Sequence, residues 1–141
     1  EGRRQLALVM LARFREEVEL LDTMEASPLE RIVWATMISR KLDRYIRPQV
    51  EVYDPQGDYI VRVDFASTLL KIAIFTDGRT YHSKPDDVAR DESHNRRLEK
   101  MGWKVRRYWT EEVNDDHSRL IDETYQLTCQ RLLQLQRGEL N

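Results

Sequence analysis

Apolar residues recur along the chain with two different periods, which divide it into helix-like and strand-like segments. A spacing of three to four residues, typical of an amphipathic helix, marks four segments: residues 3–22, a segment from Ser27 to Leu42, 86–101 and 115–137. Alternation with a period of two, typical of a strand, marks four others: residues 49–54, 59–65, 71–76 and 103–109. The predicted order is αα-βββ-α-β-α.

The connections between the strand-like segments predict how the strands pair. Short polar or turn-forming links at residues 55–58 and 66–70 join the first three strands, and such links favour an antiparallel meander. The fourth strand follows a helix, so it is free to lie parallel to a neighbour through a crossover. The sequence therefore predicts an α/β fold with a mixed central sheet flanked by helices.

The second helix begins at a strong start signal. Ser27 suits the N-cap, Pro28 suits the first helical position, and Glu30 falls at the third, which completes a capping box. Glu30 therefore has a structural role available, and any catalytic role for this residue has to be weighed against it.

Length and composition limit the class of protein. A chain of 141 residues with 40% hydrophobic and 34% charged residues is typical of one globular domain, here spanning residues 1–141. Segment 3–22, with Leu6, Val9 and Met10 on its apolar side, is expected to pack as a flanking helix. Because the chain begins at Glu1, already in a helical pattern, we expect it to be part of a larger polypeptide.

Charge and cysteine content exclude other classes. No apolar run approaches the roughly 20 residues of a membrane span. The single cysteine, Cys129, excludes an internal disulfide, and with three histidines it leaves no cysteine-rich zinc cluster, so a reducing cytoplasm is expected. The net charge of −2 does not by itself indicate nucleic-acid binding, although a local basic face is compatible with it.

The clearest chemical signal lies in the second and third predicted strands. Asp64 stands mid-strand, where aspartate is disfavoured. Strand alternation predicts that it faces away from a row of apolar residues that share the other side: Tyr59, Val61, Val63 and Phe65. A polar group in this position is typical either of a functional site or of a solvated sheet face.

A register that pairs Asp64 with Phe75 would place Asp64 and Asp77 on the same face of the sheet. The two carboxylates and the carbonyl of Thr76 are hard oxygen ligands of the kind that Mg²⁺ accepts. His82 follows a turn and could serve as acid or base beside such an ion. Asp77, which precedes a glycine, is also typical of a turn, and a single histidine is commonly a surface residue.

Several motifs extend this signal. They are VDF at 63–65, IFTDG at 74–78, YH at 81–82, and L-x-x-x-G-W-x-V at 98–105, which leads to Trp109. Together they resemble the very-short-patch-repair (Vsr) endonucleases and their relatives in the PD-(D/E)xK, restriction-endonuclease-like superfamily. The resemblance covers about residues 27–113, the predicted core, and implies a mixed central sheet between helices. Helices 3–22 and 115–137 would flank that core.

The resemblance implies a role for five residues. Asp64 matches the metal-binding aspartate, Thr76 the residue whose main-chain carbonyl binds the metal, and His82 the catalytic histidine. Glu30 matches a glutamate that assists the metal site through water. Asp77 falls where Vsr proteins have another histidine and where wider relatives have aspartate. The implied cofactor is Mg²⁺, for which Mn²⁺ is expected to substitute.

The chain also departs from these patterns. Phe75 stands where the wider superfamily has glutamate, and no lysine follows two positions later, which would indicate an inactive nuclease. Vsr enzymes have phenylalanine there too. Thr80 and Tyr81 match the pair of aromatic residues that Vsr inserts beside a mismatch, so only one aromatic remains and a specificity other than mismatch recognition is expected.

A basic surface is expected to contact DNA. The residues predicted to do so are Arg62, Arg79, Tyr81, Lys84, Arg90 and Arg97, as part of a one-sided cluster that continues through Lys104 and Arg106 to Arg107. The sequence thus predicts a metal-dependent DNA endonuclease, a module of a larger DNA-processing, repair or defence protein. A catalytically inactive domain used for DNA binding or protein docking is the alternative, and a nuclease acting on RNA is a third reading.

Overall fold

The structure, a computed structural model, describes residues 2–23, 26–76 and 84–140. Its helices are α1 (Gly2–Thr23), α2 (Pro28–Ser39), α3 (Pro85–Lys100), α4 (Thr110–Asp115) and α5 (Ser118–Gln136). Its strands are β1 (Arg47–Tyr53), β2 (Tyr59–Ser67), β3 (Ile72–Phe75) and β4 (Lys104–Arg107). The predicted order is confirmed, and no helix in these ranges is long and apolar enough to cross a membrane.

Two local features were not predicted. A short 3₁₀ helix, Leu42–Arg44, follows α2. The last helical segment is divided into α4 and α5 at Asp116, whose backbone is extended and whose Oδ1 accepts the main-chain N–H of Ser118, the first residue of α5, at 2.9 Å. This hydrogen bond lowers the pKa of Asp116.

The four strands lie in the order β1-β2-β3-β4. The first three form the predicted antiparallel meander, and β4 pairs parallel to β3 after the crossover through α3. Phe65 pairs with Ile74 and Ala66 with Ala73, and this register, extended by one residue, sets Asp64 across from Phe75 as the sequence predicts. The mixed sheet between helices is the predicted α/β fold.

Each face of the sheet carries its own hydrophobic core. On the side of α2 and α5, Phe65 stacks on Trp34 with ring centroids 6.2 Å apart. On the side of α3, Phe75, Leu98 and Trp103 pack together. The sheet is therefore buried on both faces, because the crossover helix α3 covers one face and α2 and α5 cover the other.

The alternation of β2 breaks at Asp64. Val61 and Val63 pack in the core on the α3 side, whereas Phe65 packs in the core on the other side. The prediction that these residues share a face is therefore wrong for Phe65. Across from Asp64 in the register lies Gln49 of β1, which has a left-handed φ of 51°.

The apolar side of α1 does not pack as predicted in its first half. Leu6, Val9 and Met10 are 61%, 63% and 60% exposed. The expectation that these residues bury against the domain is wrong, because helical periodicity shows that a face is apolar but not what covers it. An ion pair of 3.5 Å between Arg13 and Asp43 connects this helix to the 3₁₀ turn.

A buried arginine joins α5 to two turns. Arg131 is 6% exposed, and its Nε donates to the carbonyl of Leu70 at 2.9 Å. Its Nη2 donates to the carbonyl of Gly102 at 2.8 Å. Gly102 ends α3 with a φ of 89°, a conformation that a glycine adopts readily. Arg131 thus fixes the β2–β3 turn and the α3–β4 turn on one helix.

Candidate active site

Asp64 is held at the end of the neighbouring strand. It is 8% exposed, and its Oδ2 accepts the main-chain N–H of Thr76 at 2.8 Å. Thr76 is the first residue after β3 and is 1% exposed. The antiparallel register of β2 and β3 therefore brings together two of the residues that the sequence predicts for the site.

The carbonyl of Thr76 points toward α4. It accepts a hydrogen bond from Oγ1 of Thr110 at 3.2 Å. A carbonyl oxygen has two lone pairs, so this contact leaves acceptor capacity at the same atom. The sequence gives no signal for Thr110, because its contact with Thr76 joins residues that are far apart in the chain.

Glu30 combines a structural contact with a contact to the sheet. Oγ of Ser27 accepts the N–H of Glu30 at 3.2 Å and donates to its Oε1 at 3.2 Å, so the predicted cap is present. The second carboxylate oxygen, Oε2, accepts from Nε2 of Gln49 at 3.1 Å. Both oxygens of Glu30 are therefore positioned by hydrogen bonds from two different elements.

Glu30 and Thr76 line one open cavity of about 400 Å³. Its polar lining includes Thr110 and Asn114, and its other residues come from the start of α2. Asp64 is not part of this lining, but it is hydrogen-bonded to the main chain of Thr76. Two of the predicted residues, Glu30 and Thr76, thus line a single cavity, and a third, Asp64, is joined to it through Thr76.

Oxygen atoms dominate the donor groups gathered here. The carboxylate of Asp64 and the carbonyl of Thr76 are the hard donors that suit Mg²⁺, so the residues present fit that ion. Within residues 2–23, 26–76 and 84–140, no group of three or more histidine, cysteine, aspartate or glutamate side chains is placed to hold a metal. Asp77 and His82, predicted to complete the site, lie outside the described residues.

A family comparison identifies the family of this chain. The model of the family REase_MTES_1575 matches residues 29–127, which include Glu30, Asp64 and Thr76. The chain belongs to this restriction-endonuclease-like family. Membership confirms the PD-(D/E)xK superfamily, indicates a nuclease domain and implies DNA as its partner. None of the curated proteins and none of the solved structures is significantly similar to the chain.

Phe75, the departure from the superfamily pattern, is buried in this REase_MTES_1575 domain. It is 3% exposed, and the guanidinium of Arg107 lies 3.8 Å from its ring centroid. Nε of Arg107 donates to Oδ1 of Asn95 at 2.7 Å, and Nη1 lies 3.7 Å from Oδ1 of Asp91. Position 75 is therefore occupied by an aromatic ring that packs under a half-buried cation.

His94 lies on α3 close to this cation. Burial lowers the pKa of His94, and the positive charge of Arg107 lowers it further, against the opposing effect of Asp91. The neutral imidazole is therefore favoured near neutral pH. The sequence does not single out this histidine, because its spacing matches no motif.

The predicted DNA-contacting residues lie on several elements. Arg62 on β2 and Lys84 at the start of α3 are exposed. Arg90 pairs with Asp87 at 3.1 Å, and Arg97 pairs with Asp54 at 3.6 Å. Exposed pairs of this kind stabilise little and exchange readily for another anion. Arg79 and Tyr81 lie outside the described residues.

The cations of the basic cluster do not all lie on one face of the sheet. Arg106 and Arg107 are neighbours on β4, and strand alternation sends them to opposite faces of the sheet. Arg106 lines a polar cleft with Glu123 and Gln126 of α5, whereas Arg107 packs on Phe75 toward α3. Arg107 is thus engaged inside the domain, and the exposed cations of α3 are left to form the basic surface.

Proposed function

We propose that this domain is a Mg²⁺-dependent DNA endonuclease of the Vsr-like kind, in which Mn²⁺ can replace Mg²⁺. One observation carries the proposal: the buried carboxylate of Asp64 is fixed on the main chain of Thr76, beside a cavity that Glu30 also lines. Membership of a restriction-endonuclease-like family supports hydrolysis of a phosphodiester as the reaction.

The proposed division of roles follows from the groups present. Asp64 and Asp77 would hold the ion together with the carbonyl of Thr76, and Glu30 would contact it through water. When bound, the ion would polarise a phosphoryl oxygen and acidify a water molecule. His82 would donate or accept the proton of the attacking or leaving oxygen.

Binding of DNA would use exposed cations of β2 and α3 together with residues of the sequence between β3 and α3. The proposed contacts are Arg62, Arg79, Tyr81, Lys84, Arg90 and Arg97. Phosphate contacts of this kind fix the position of the duplex without reading its sequence. A role as one module of a larger repair or defence protein is part of the same proposal.

The test compares two aspartates that lie on the same hairpin. Asp64→Asn keeps an oxygen that can accept the N–H of Thr76, so it removes charge with little change in shape. We expect the wild type to nick supercoiled plasmid with Mg²⁺, Asp64→Asn to show no nicking, and the exposed-site control Asp58→Asn to behave as the wild type. Nicking by Asp64→Asn at the wild-type rate would contradict the proposal.

A second candidate function is a non-catalytic domain of the same fold that binds DNA or docks a protein. The buried Phe75 under Arg107 favours it, because the superfamily glutamate is absent from that position. A metal site that is intact should raise the melting temperature of the domain when Mg²⁺ or Mn²⁺ is added, and the non-catalytic alternative should not respond. A labelled RNA substrate beside the plasmid separates cleavage of DNA from cleavage of RNA.

A further inference from the structure

Gln49 has a backbone conformation that is unusual for a strand residue. In the described part of the chain, three residues other than glycine have positive φ: Lys41, Gln49 and Lys71. Lys41 and Lys71 lie in turns, where left-handed residues are common, whereas Gln49 lies inside β1. A residue with a Cβ atom is disfavoured in this conformation, and such residues cluster at functional sites.

The conformation brings the side chain of Gln49 to Glu30. Gln49 is 7% exposed, and its Nε2 donates to Oε2 of Glu30 at 3.1 Å. The other carboxylate oxygen of Glu30 is held by Oγ of Ser27 at 3.2 Å. The carboxylate is therefore fixed from the helix by one contact and from the sheet by another.

Gln49 also stands between the two acidic residues of the site. Pairing of Pro48 with Phe65 and of Val50 with Val63 places Gln49 across from Asp64. From this position on β1 its amide reaches the carboxylate of Glu30 on α2. A residue with ordinary strand dihedral angles would direct its side chain elsewhere.

We infer that Gln49 is a positioning residue, whose left-handed backbone aims its amide at Glu30 and holds that carboxylate at the cavity shared with Thr76. The inference rests on the proposed nuclease function. It adds to that function a residue that touches neither the substrate nor the proposed ion, and that acts through Glu30.

Three substitutions of Gln49 test separately the length of its side chain, the strain in its backbone and its hydrogen bond to Glu30. Gln49→Leu removes the donor at similar volume. Gln49→Asn keeps an amide in a residue that tolerates left-handed φ, but it is one methylene shorter. Gln49→Gly relaxes the backbone and removes the side chain. We expect each to fold, by circular dichroism, and to lose about 10- to 100-fold in plasmid-nicking rate, as residues supporting a metal site typically do.

The decisive measurement is a double-substitution cycle with Glu30→Gln. If Gln49 acts through Glu30, adding Gln49→Leu to Glu30→Gln should lower kcat no further. A purely structural role would instead give independent losses that multiply. Without DNA, the rise in Tm on addition of Mg²⁺ should shrink in Gln49→Leu to the value found for Glu30→Gln.

The outcomes distinguish this inference from the proposed function. Nicking by all three Gln49 variants at the wild-type rate, or losses that multiply with those of Glu30→Gln, would overturn the positioning role alone. A loss of rate that matches a loss of folded protein would overturn it too. A wild type that fails to nick, or an Asp64→Asn variant that nicks, would overturn the proposed function and this inference with it.

Discussion

The guanidinium of Arg107 lies over the ring of Phe75, 3.8 Å from its centroid. The parallel pairing of β3 with β4 sets these two residues directly opposite each other. A cation over an aromatic face is attracted by the ring quadrupole, most strongly where water is excluded. Position 75, where the wider superfamily carries glutamate, therefore holds an aromatic ring that stacks against the guanidinium of Arg107.

The first prediction concerns this contact. Arg107→Lys keeps the charge but loses the planar group that stacks on Phe75 and donates to Asn95. We expect the free energy of unfolding, measured in urea, to fall by about 1–3 kcal/mol. Arg106→Lys, at the exposed neighbouring residue of the same strand, serves as control and should change it by less than about 0.5 kcal/mol. Equal effects of the two substitutions would contradict a specific contact.

The second prediction separates the structural role of Asp64 from its proposed chemical role. Asp64→Ala removes the acceptor of the Thr76 N–H, which is buried, so stability should fall by about 1–3 kcal/mol. Asp64→Asn keeps an acceptor oxygen and should lose less. Chemical denaturation gives the free energies, and hydrogen exchange at the Thr76 amide should be faster in the alanine variant only. Unchanged exchange in that variant would show that the hydrogen bond does not protect this amide.

The third prediction concerns the buried Arg131. Arg131→Met fills similar space but leaves the carbonyls of Leu70 and Gly102 without their donor. Each hydrogen bond to a charged group contributes about 1.5–3 kcal/mol, so we expect a loss of about 3 kcal/mol in urea denaturation. Arg137→Met, at the exposed end of the same helix, is the matched control. A loss no larger than that of the control would mean that water replaces the arginine at both carbonyls.

The fourth prediction follows from the lowered pKa of His94. Burial is the main cause and the charge of Arg107 the next, so the folded protein binds this proton less readily than the unfolded chain. The corresponding stability is complete above the unfolded pKa of 6.5 and is lost as the pH falls through the lower folded pKa. The decrease in unfolding free energy between pH 7.5 and pH 5.5 should therefore be smaller in His94→Gln than in the wild type. Identical decreases would contradict this coupling.

The sequence predicts those parts of the site that depend on local patterns of residues. Asp64 is anomalous within an alternating strand, and Thr76 follows from the strand pairing that the short β2–β3 link imposes. The family resemblance points to Glu30, whereas the capping box predicts only its hydrogen bonds with Ser27. These features need only neighbouring residues or a single register, and the observed pairing of β2 with β3 confirms that register.

The parts that the sequence does not predict depend on contacts between distant segments. Gln49 reads as an ordinary strand residue, because nothing in its neighbours signals a left-handed φ. Phe65 on the neighbouring strand packs on the opposite face from the one that alternation predicts, and its neighbours in the sequence give no signal of that break either. Thr110 meets the carbonyl of Thr76 only after α4 is placed beside the end of β3. Tertiary context overrides local preference at each of these positions.

The bend at Gln49 has a second consequence, which concerns how copies of the domain meet in concentrated solution. β1 and β4 are the edge strands of the sheet. An edge strand with a regular row of unpaired N–H and C=O groups can pair with a strand of another molecule. Pro48 contributes no N–H to such a row, and the left-handed residue after it turns the row out of line. β4 is only four residues long. The left-handed backbone of Gln49, which directs its amide at Glu30, thus also disfavours pairing of another strand with the β1 edge and so disfavours aggregation.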